Sequence, residues 1–289
     1  MDKLVSAIMP HNNSSRLGLA RKAVNNFIRN AYHPYELVIV NTTSDKVLTN
    51  EAGSFELEAL GCCVTELFAP ELASANASQL RNFGIRQAKG NWILPIDSDD
   101  WSHPFRLLYQ MAHRDTDRVL IEGNRLCRPV LLRNQLRVDV APVLRDNLTE
   151  TDTYKPTLYL LELSGGVSST ILFHRTSCAR SAKGDKSYDP FDESYTWYDE
   201  ELEINEHAEL LSRLPEPVVV DNSHNVFTSG MQWPIMSIAI YHGNNQLSRD
   251  QFFEGMPFPE DKNVVPEGIL PNDIATLKSV LQSYDFQIT

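Results

Sequence analysis

The residues Gly90 to Trp101, with the sequence GNWILPIDSDDW, decide the predicted fold. The apolar run Trp92-Ile93-Leu94-Pro95-Ile96 is typical of a strand buried on both faces, as in a parallel sheet. Three carboxylates, Asp97, Asp99 and Asp100, follow it at once. Carboxylates are rarely buried unless they are paired or bind a cation. The stretch therefore leaves two interpretations open: a strand that ends in a solvated turn, or a sheet edge that binds a cation.

The first hundred residues alternate between short apolar runs and segments of helical periodicity. Strands are predicted at residues 4–9, 36–40, 62–68 and 92–96, and helical stripes at 20–28 and 80–88. This alternation predicts an α/β fold with a parallel sheet flanked by helices. Ligands of such sheets bind beyond the carboxyl ends of the strands, and the polar clusters HNNSSR, NTTSD and DSDD fall at those ends.

The second half of the chain is less regular. Strands are predicted within residues 117–123, 135–143, 168–175 and 217–222, and helices over Pro104–His113 and Asp199–Leu214. After Gly230 the pattern predicts loops, followed by one helix around residues 274–281.

Composition restricts the classes of function. A net charge of −12 argues against a broad basic surface for nucleic acid or anionic lipid. No apolar run approaches the roughly 18 residues of a membrane span, so no transmembrane segment is predicted. The 4 cysteines show no CxxC pair and no zinc spacing, which favours reduced thiols and a cytoplasmic protein.

Three blocks in order, VSAIMPHNNSSR, ELVIVNTTSD and RNFGIRQAKGNWILPIDSDDWSHP, resemble the nucleotide-binding half of a family 2 glycosyltransferase of the GT-A fold. The third block is the most specific, because it combines Asn82-x-Gly84, Ala88-x-Gly90, an apolar strand and a DxDD. The resemblance implies a GT-A (Rossmann-like), mostly parallel sheet flanked by helices, with a C-terminal extension. It assigns nucleotide-sugar binding to residues 1–110, acceptor binding to 111–230 of the same domain, and the extension to 231–289.

The resemblance also implies an activity: a metal-dependent, inverting transferase that moves a sugar from a nucleotide diphosphate to an acceptor hydroxyl, with a saccharide as the expected acceptor. The cation, Mn²⁺ or Mg²⁺, would offset the charge of the departing diphosphate as a Lewis acid, and hard cations take oxygen ligands. By analogy Asp99 contacts the ribose or the metal, Asp100 binds the metal, and Asp97 supports them. His224 is a further candidate metal ligand.

Two loops are expected to contact the nucleotide. Pro10, His11 and Asn12 occupy the position of the family's first nucleotide loop. The second loop departs from the family pattern, since Asn41 stands where an aspartate usually accepts the ring N–H of the base. An asparagine both donates and accepts hydrogen bonds, so the identity of the base stays open. Arg81 is expected near the base or the phosphates.

The expected general base lies in PFDESYTWYDEELEINEHAE. An inverting transferase needs a carboxylate that takes the proton of the attacking hydroxyl. The resemblance places Asp199 at that position, with Glu200 as the alternative and Tyr198 where the family has a glutamate.

Two other functions stay open. The acceptor could be a hydroxymethylated DNA base, as in phage-like transferases, with the arginines at 125, 128, 133 and 137 contacting phosphates. Alternatively, the altered NTTS loop and the missing glutamate could mark a module that binds nucleotide without turnover.

Overall fold

The computed structural model describes residues 3–48, 62–114, 118–121, 124–132, 134–139, 157–162, 170–178, 180–181, 195–202, 206–220 and 236–241. The strands are β1 (Val5–His11), β2 (Tyr35–Asn41), β3 (Cys62–Phe68), β4 (Trp92–Pro95), β5 (Trp101–Ser102), β6 (Arg118–Ile121), β7 (Asn124–Cys127), β8 (Val130–Leu132), β9 (Asn134–Asp139), β10 (Thr157–Glu162), β11 (Ile171–His174), β12 (Arg180–Ser181), β13 (Tyr195–Thr196), β14 (Val218–Val220) and β15 (Ser237–Tyr241). The helices are α1 (Leu17–Phe27), α2 (Ala77–Gln87), α3 (Arg106–Ala112), α4 (Arg175–Cys178) and α5 (Glu206–Arg213).

The main sheet has seven strands in the order β14-β8-β11-β4-β1-β2-β3. The neighbours from β4 to β3 pair in parallel, as do β14 and β8, whereas β11 is antiparallel to both of its neighbours. The predicted mostly parallel sheet is therefore confirmed. The chain runs outward from β1 to β3 and then returns to the other side of β1 as β4, so the strand order reverses between β1 and β4.

Helices cover both faces of this sheet because the strand residues alternate between two apolar clusters. Val5, Ala7 and Met9 of β1 pack in one cluster with the buried face of α1. Ile8, between them, packs in the other cluster with Ile85 of α2. This arrangement confirms the α/β interpretation of the alternating pattern.

A second, four-stranded sheet has the order β10-β9-β15-β5. It corrects the expectation of loops after Gly230, because Ser237–Tyr241 forms a fully buried strand that pairs with β9 and β5. Five residues are too few to give a clear period, so the sequence did not signal this strand. None of the described helices has both the length and the apolar character needed to cross a membrane.

The helix predicted over Asp199–Leu214 is also shorter than expected. Residues 199–202 form a turn, and α5 begins at Glu206. The Asp199 carboxylate accepts the backbone N–H of Glu201 at 3.1 Å. Such local bonds compete with helical hydrogen bonds, which explains why the acidic segment turns instead.

Two helical glycines offer a test of this packing. A Cβ at Gly84 would lie 2.6 Å from Ile8 Cγ2 and 2.9 Å from Val40 Cγ2, whereas nothing lies within 4 Å of a Cβ at Gly18. We therefore expect Gly84→Ala to destabilise the protein by about 1–3 kcal/mol through overpacking. Gly18→Ala should instead stabilise it by about 0.5–1 kcal/mol, because glycine is a poor helix former. Urea unfolding measures both changes in stability. Equal unfolding midpoints in the two variants would contradict a tight contact of α2 with the sheet.

Candidate active site

The loops that follow β1 and β4 meet where the strand order reverses. Arg16, at the start of α1, donates from Nη1 to the Asp99 Oδ2 atom at 2.9 Å. Its Nη2 atom is 3.4 Å from the Asn12 Oδ1 atom. Open α/β sheets bind ligands in the crevice at such a reversal. This edge is therefore where the fold itself predicts a site.

Two of the predicted residues of the first loop, His11 and Asn12, differ in their exposure to solvent. Asn12 is exposed, whereas His11 is only 1% exposed at the end of β1. Neither ring nitrogen of His11 has a hydrogen-bond partner among the described residues. Burial lowers the pKa of His11, and Arg16 lowers it further, against the opposing effects of Glu66 and Asp99. A base would contact this ring only after the surrounding side chains move, so the contact stays a prediction.

The second loop is held together by Asn41, which is fully buried at the end of β2. Its Oδ1 atom accepts the backbone N–H and the hydroxyl of Thr43, each at 2.9 Å. Its Nδ2 atom donates to the Asp45 carbonyl at 2.8 Å and to Glu66 Oε1 at 2.7 Å. The side chain thus uses its whole hydrogen-bonding capacity inside the protein. Direct contact between Asn41 and a base requires one of these bonds to break.

Glu66 of β3 was not predicted from the sequence. Besides Asn41, its carboxylate accepts the backbone N–H groups of Val47 at 2.8 Å and Leu48 at 3.1 Å. Glu66 therefore fixes the shape of the second loop. Its signal is a charged side chain at the carboxyl end of an apolar strand, beside the asparagine that ends the neighbouring strand.

The acidic stretch forms a turn rather than an extended end. The Asp100 N–H donates to the Asp97 carbonyl at 3.3 Å, and an oxygen of the Asp100 carboxylate accepts the N–H of Ile240 in β15 at 3.3 Å. Arg106 of α3 is fully buried beneath this turn and donates to the Ser102 hydroxyl at 2.9 Å. Burial lowers the pKa of Arg106 to about 9, although Asp100 and Asp97 oppose the shift.

Arg81 of α2 connects this turn with the second half of the chain. It donates from Nη2 to Asp97 Oδ1 at 2.8 Å and from Nη1 to Glu206 Oε1 at 2.6 Å, and it lies 5.6 Å from the centre of the Tyr198 ring. Burial opposes its charge, but Asp97 and Glu206 more than offset this effect, so the pKa of Arg81 lies above its usual value. Arg81 therefore supports the acidic turn by ion pairing.

The buried Arg81 guanidinium should contribute more to the free energy of unfolding than the partly exposed guanidinium of Arg86 on the same helix. We expect Arg81→Met to lower the free energy of unfolding by about 3 kcal/mol or more, because Asp97 and Glu206 lose their counter-charge. Arg86→Met is the matched control, since Arg86 is 3.9 Å from Glu200 with 28% side-chain exposure. A loss of at most about 1 kcal/mol is expected there. Equal losses in urea unfolding would show that Arg81 does not hold the two segments together.

The candidate base segment packs against α2. Asn82 is fully buried and binds the backbone of Trp197 and Tyr198 and the side chain of Glu200. Tyr198 itself is fully buried, and its hydroxyl is 3.3 Å from Nδ1 of His207. Burial lowers the pKa of His207, and Arg81 lowers it further, so this histidine is neutral. Asp199, between the two anchored residues, is partly exposed.

The residues at the acidic turn suit a hard divalent cation. Asp99 and Asp100 are adjacent carboxylates at the sheet edge, and Mg²⁺-like ions often take one or two carboxylates together with substrate phosphates. Among the described residues no group of three histidine, cysteine, aspartate or glutamate side chains is arranged to hold a metal. The cation would therefore need ligands from the donor or from water. His224 and the segment 191–193 lie outside the described residues.

The structure thus brings together most of the predicted residues through a few contacts. Arg16 bonds both Asp99 and Asn12, Arg81 pairs with Asp97, and Arg81 and Asn82 of α2 hold the segment that contains Asp199. Sequence reasoning missed Glu66 and Glu206, whose partners are distant in the chain. It also missed Arg106, whose partners Ser102 and Gln110 are close in the chain but whose complete burial is visible only in the fold.

The strand order, its reversal between β1 and β4 and the acidic turn at that point are those of an α/β domain of the GT-A type. The comparison with family models makes the assignment specific: residues 6–137 match the model described as glycosyl transferase family 2. This match, which spans somewhat less than half of the chain, confirms the resemblance of the three sequence blocks to family 2 glycosyltransferases. The comparison with curated protein sequences gives no match.

Solved structures give weaker similarities. TarS 1-349 of S. aureus is 17% identical with a TM-score of 0.46, over 82% of this chain and 60% of that chain. The same protein in complex with UDP-GlcNAc is 16% identical with a TM-score of 0.45, over 87% and 64%. The mannosyltransferase PcManGT of Pyrobaculum calidifontis, in complex with GDP-Man and Mn²⁺, is 14% identical with a TM-score of 0.40, over 78% and 58%. The chain spans about three fifths of the length of these proteins, and TM-scores below 0.5 do not establish a shared ligand or activity.

Proposed function

We propose that the protein is a metal-dependent, inverting glycosyltransferase that moves a sugar from a nucleotide diphosphate donor to an acceptor hydroxyl. The observation that carries this proposal is the Arg81 bridge. It ties Asp97, at the acidic turn, to the segment that contains Asp199 and Glu206, although Arg81 and Glu206 are 125 residues apart in the chain. A donor-binding edge and a candidate base thus share one rigid support. Such preorganisation is what a displacement reaction needs.

On the donor side, Asp99 and Asp100 would hold the cation with the diphosphate, and Asp97 would support them through Arg81. The cation, Mn²⁺ or Mg²⁺, would supply Lewis-acid stabilisation of the departing diphosphate. Arg16 forms an ion pair with Asp99. The buried Arg106 lies close enough to Asp100 for that carboxylate to oppose the lowering of the Arg106 pKa. The chain therefore limits the mutual repulsion of three aspartates at one turn.

On the acceptor side, Asp199 would take the proton of the attacking hydroxyl. Glu200 is the weaker candidate, because one oxygen of its carboxylate accepts a bond from Asn82 at 2.9 Å and so is already engaged with α2. Asp199 lies at the tip of the same turn and is partly exposed. One general base, such as Asp199, is sufficient for a single displacement with inversion of the anomeric centre.

A saccharide is the acceptor that the charges favour. The net charge of −12 opposes association with DNA, which gains affinity from phosphate contacts with lysine and arginine. Arg128, one of the four arginines considered for such contacts, donates to the carbonyls of Glu216 at 2.8 Å and Pro217 at 3.4 Å. Its guanidinium is therefore bonded to the backbone just before β14, the edge strand of the main sheet. The side chains of the other three lie outside the described residues.

A nucleotide-binding module without turnover is the second candidate, because Asn41 is saturated inside its loop and Tyr198 is buried. Release of nucleoside diphosphate separates the two candidates. The panel should contain UDP-GlcNAc and GDP-Man, the donors in the similar structures, with other nucleotide sugars, each with Mn²⁺ or with EDTA. Metal-dependent release from one donor supports the enzyme, whereas tight binding without release from any donor supports the module.

A cytoplasmic location stays a prediction from the cysteine content.

A further inference from the structure

Asn82 forms a complete set of hydrogen bonds between α2 and the segment that contains Asp199. Its Oδ1 atom accepts the N–H groups of Trp197 at 3.0 Å and Tyr198 at 2.9 Å. Its Nδ2 atom donates to the Tyr198 carbonyl at 2.9 Å and to Glu200 Oε1 at 2.9 Å. Two acceptor and two donor positions are thus occupied, which is all that an asparagine side chain offers. Three of the four partners belong to the backbone, so Asn82 fixes the course of the chain as well as one side chain.

The helix that carries Asn82 is itself firmly anchored. Asn76 caps α2 by a reciprocal pair of bonds with Gln79, each of 2.9 Å. The Asn76 amide group also donates to the Glu200 carbonyl at 2.8 Å. Gly84 lets the same helix approach β1 and β2 closely. Because α2 has little freedom against the sheet, the turn that Asn82 holds has a fixed position relative to the acidic turn after β4.

These bonds distinguish the roles of the two neighbouring acids. Tyr198 and Glu200 are both tied to α2, so Asp199 is the acid at the tip of the turn between them. The Glu201 N–H donates to the Asp199 carboxylate at 3.1 Å, which stabilises the turn from within. Glu200 is therefore better suited to orient Asp199 than to take a proton.

We propose that Asn82 and Glu200 are positioning residues for the base Asp199: their hydrogen bond sets where the Asp199 carboxylate stands relative to the donor sugar. This inference rests on the proposed function, since it assigns parts of the same reaction. It concerns orientation alone, because neither residue needs to touch the donor or the acceptor. Small displacements of a catalytic group are sufficient to lower turnover about 100-fold.

The test exchanges the donor and the acceptor of this bond. Asn82→Asp keeps the acceptor for Trp197 and Tyr198 but brings two carboxylates together, so we expect the turnover number to fall about 100-fold. The KM for the donor should stay within about threefold, because the donor-binding residues lie on other loops. Glu200→Gln alone should lower turnover by about threefold. In the double variant N82D/E200Q the introduced glutamine amide can donate to the introduced carboxylate, and turnover should recover at least about tenfold from the N82D level.

Failure of this inference and failure of the proposed function give different results. If the wild-type protein turns over no donor, the proposed function fails, and hydrogen exchange still tests the positioning bonds. The Trp197 and Tyr198 amides should exchange at least about tenfold faster in Asn82→Ala than in the wild type and in Asn82→Asp. If the wild type is active, a double variant no better than N82D would overturn the inference. Equal amide exchange in all three proteins would overturn it as well.

Discussion

Replacing Asp100 by asparagine is expected to abolish the manganese-dependent stabilisation by donor and to lower turnover about 1,000-fold or more. Cation-assisted stabilisation of a leaving group contributes several kcal/mol, and each 1.4 kcal/mol corresponds to a factor of about ten in rate. Asparagine keeps the size of the side chain and can still accept the Ile240 N–H, which lies 3.3 Å from Asp100 Oδ1. The buried Arg106 also loses a counter-charge, so the shift caused by donor is compared with the unfolding temperature of the same variant without donor. Thermal unfolding with donor, with and without Mn²⁺, measures the first effect.

The control for this variant is Glu71→Gln, which removes one negative charge from an exposed position at the end of the same sheet. It should behave as the wild type in both assays. If Asp100→Asn retained a full metal-dependent shift, the cation would not depend on the acidic turn.

Asp199→Asn should lower turnover about 100- to 10,000-fold, the range that general base catalysis contributes. Donor binding and its dependence on Mn²⁺ should be unchanged, because Asp199 lies in the turn held by α2 and not among the residues after β4. Glu201→Gln is the matched control, since Glu201 is the exposed acid of the same turn and the substitution keeps the backbone N–H that donates to Asp199. Steady-state turnover, together with thermal shifts by donor, separates the two effects.

Two outcomes would contradict this assignment. A larger loss in Glu200→Gln than in Asp199→Asn would make Glu200 the base and would also contradict its positioning role. Equal activity of Asp199→Asn and Glu201→Gln would mean that neither acid of the turn takes a proton.

The sheet and the location of the site could be predicted because their signals are local. The run from Trp92 to Ile96 is buried, and the aspartates follow it within a few residues, so period and position both appear in one short window. The same holds for β1 and β2, whose ends carry His11 and Asn41. Parallel pairing then brings these ends to one edge of the sheet, so the location of the site follows from the strand assignment alone.

The contacts that hold the site together could not be predicted. Arg81 reaches Glu206 and Asn82 reaches Tyr198 across more than a hundred residues, and no local period reports such a contact. The acidic run after Trp197 has the composition of a helix start, but the Asp199 carboxylate and Asn82 stabilise a turn instead. Tertiary hydrogen bonds have here overridden local propensity.

Asn41 shows a limit of reasoning by resemblance. Its position suggests a residue that contacts the base, yet its amide is saturated by Thr43, Asp45 and Glu66. Position within a motif indicates where a side chain lies but not which bonds it has already made. The partner that decides this, Glu66, is on another strand and is visible only in the fold.

The central claim is that the acidic turn after β4 is where the donor diphosphate meets a divalent cation. The most direct measurement is an anomalous difference map from crystals grown with Mn²⁺ and the donor nucleotide. We expect a manganese peak bound by Asp100, with the diphosphate oxygens as further ligands. A nucleotide bound elsewhere, with no manganese at the carboxylates of Asp99 and Asp100, would contradict the account.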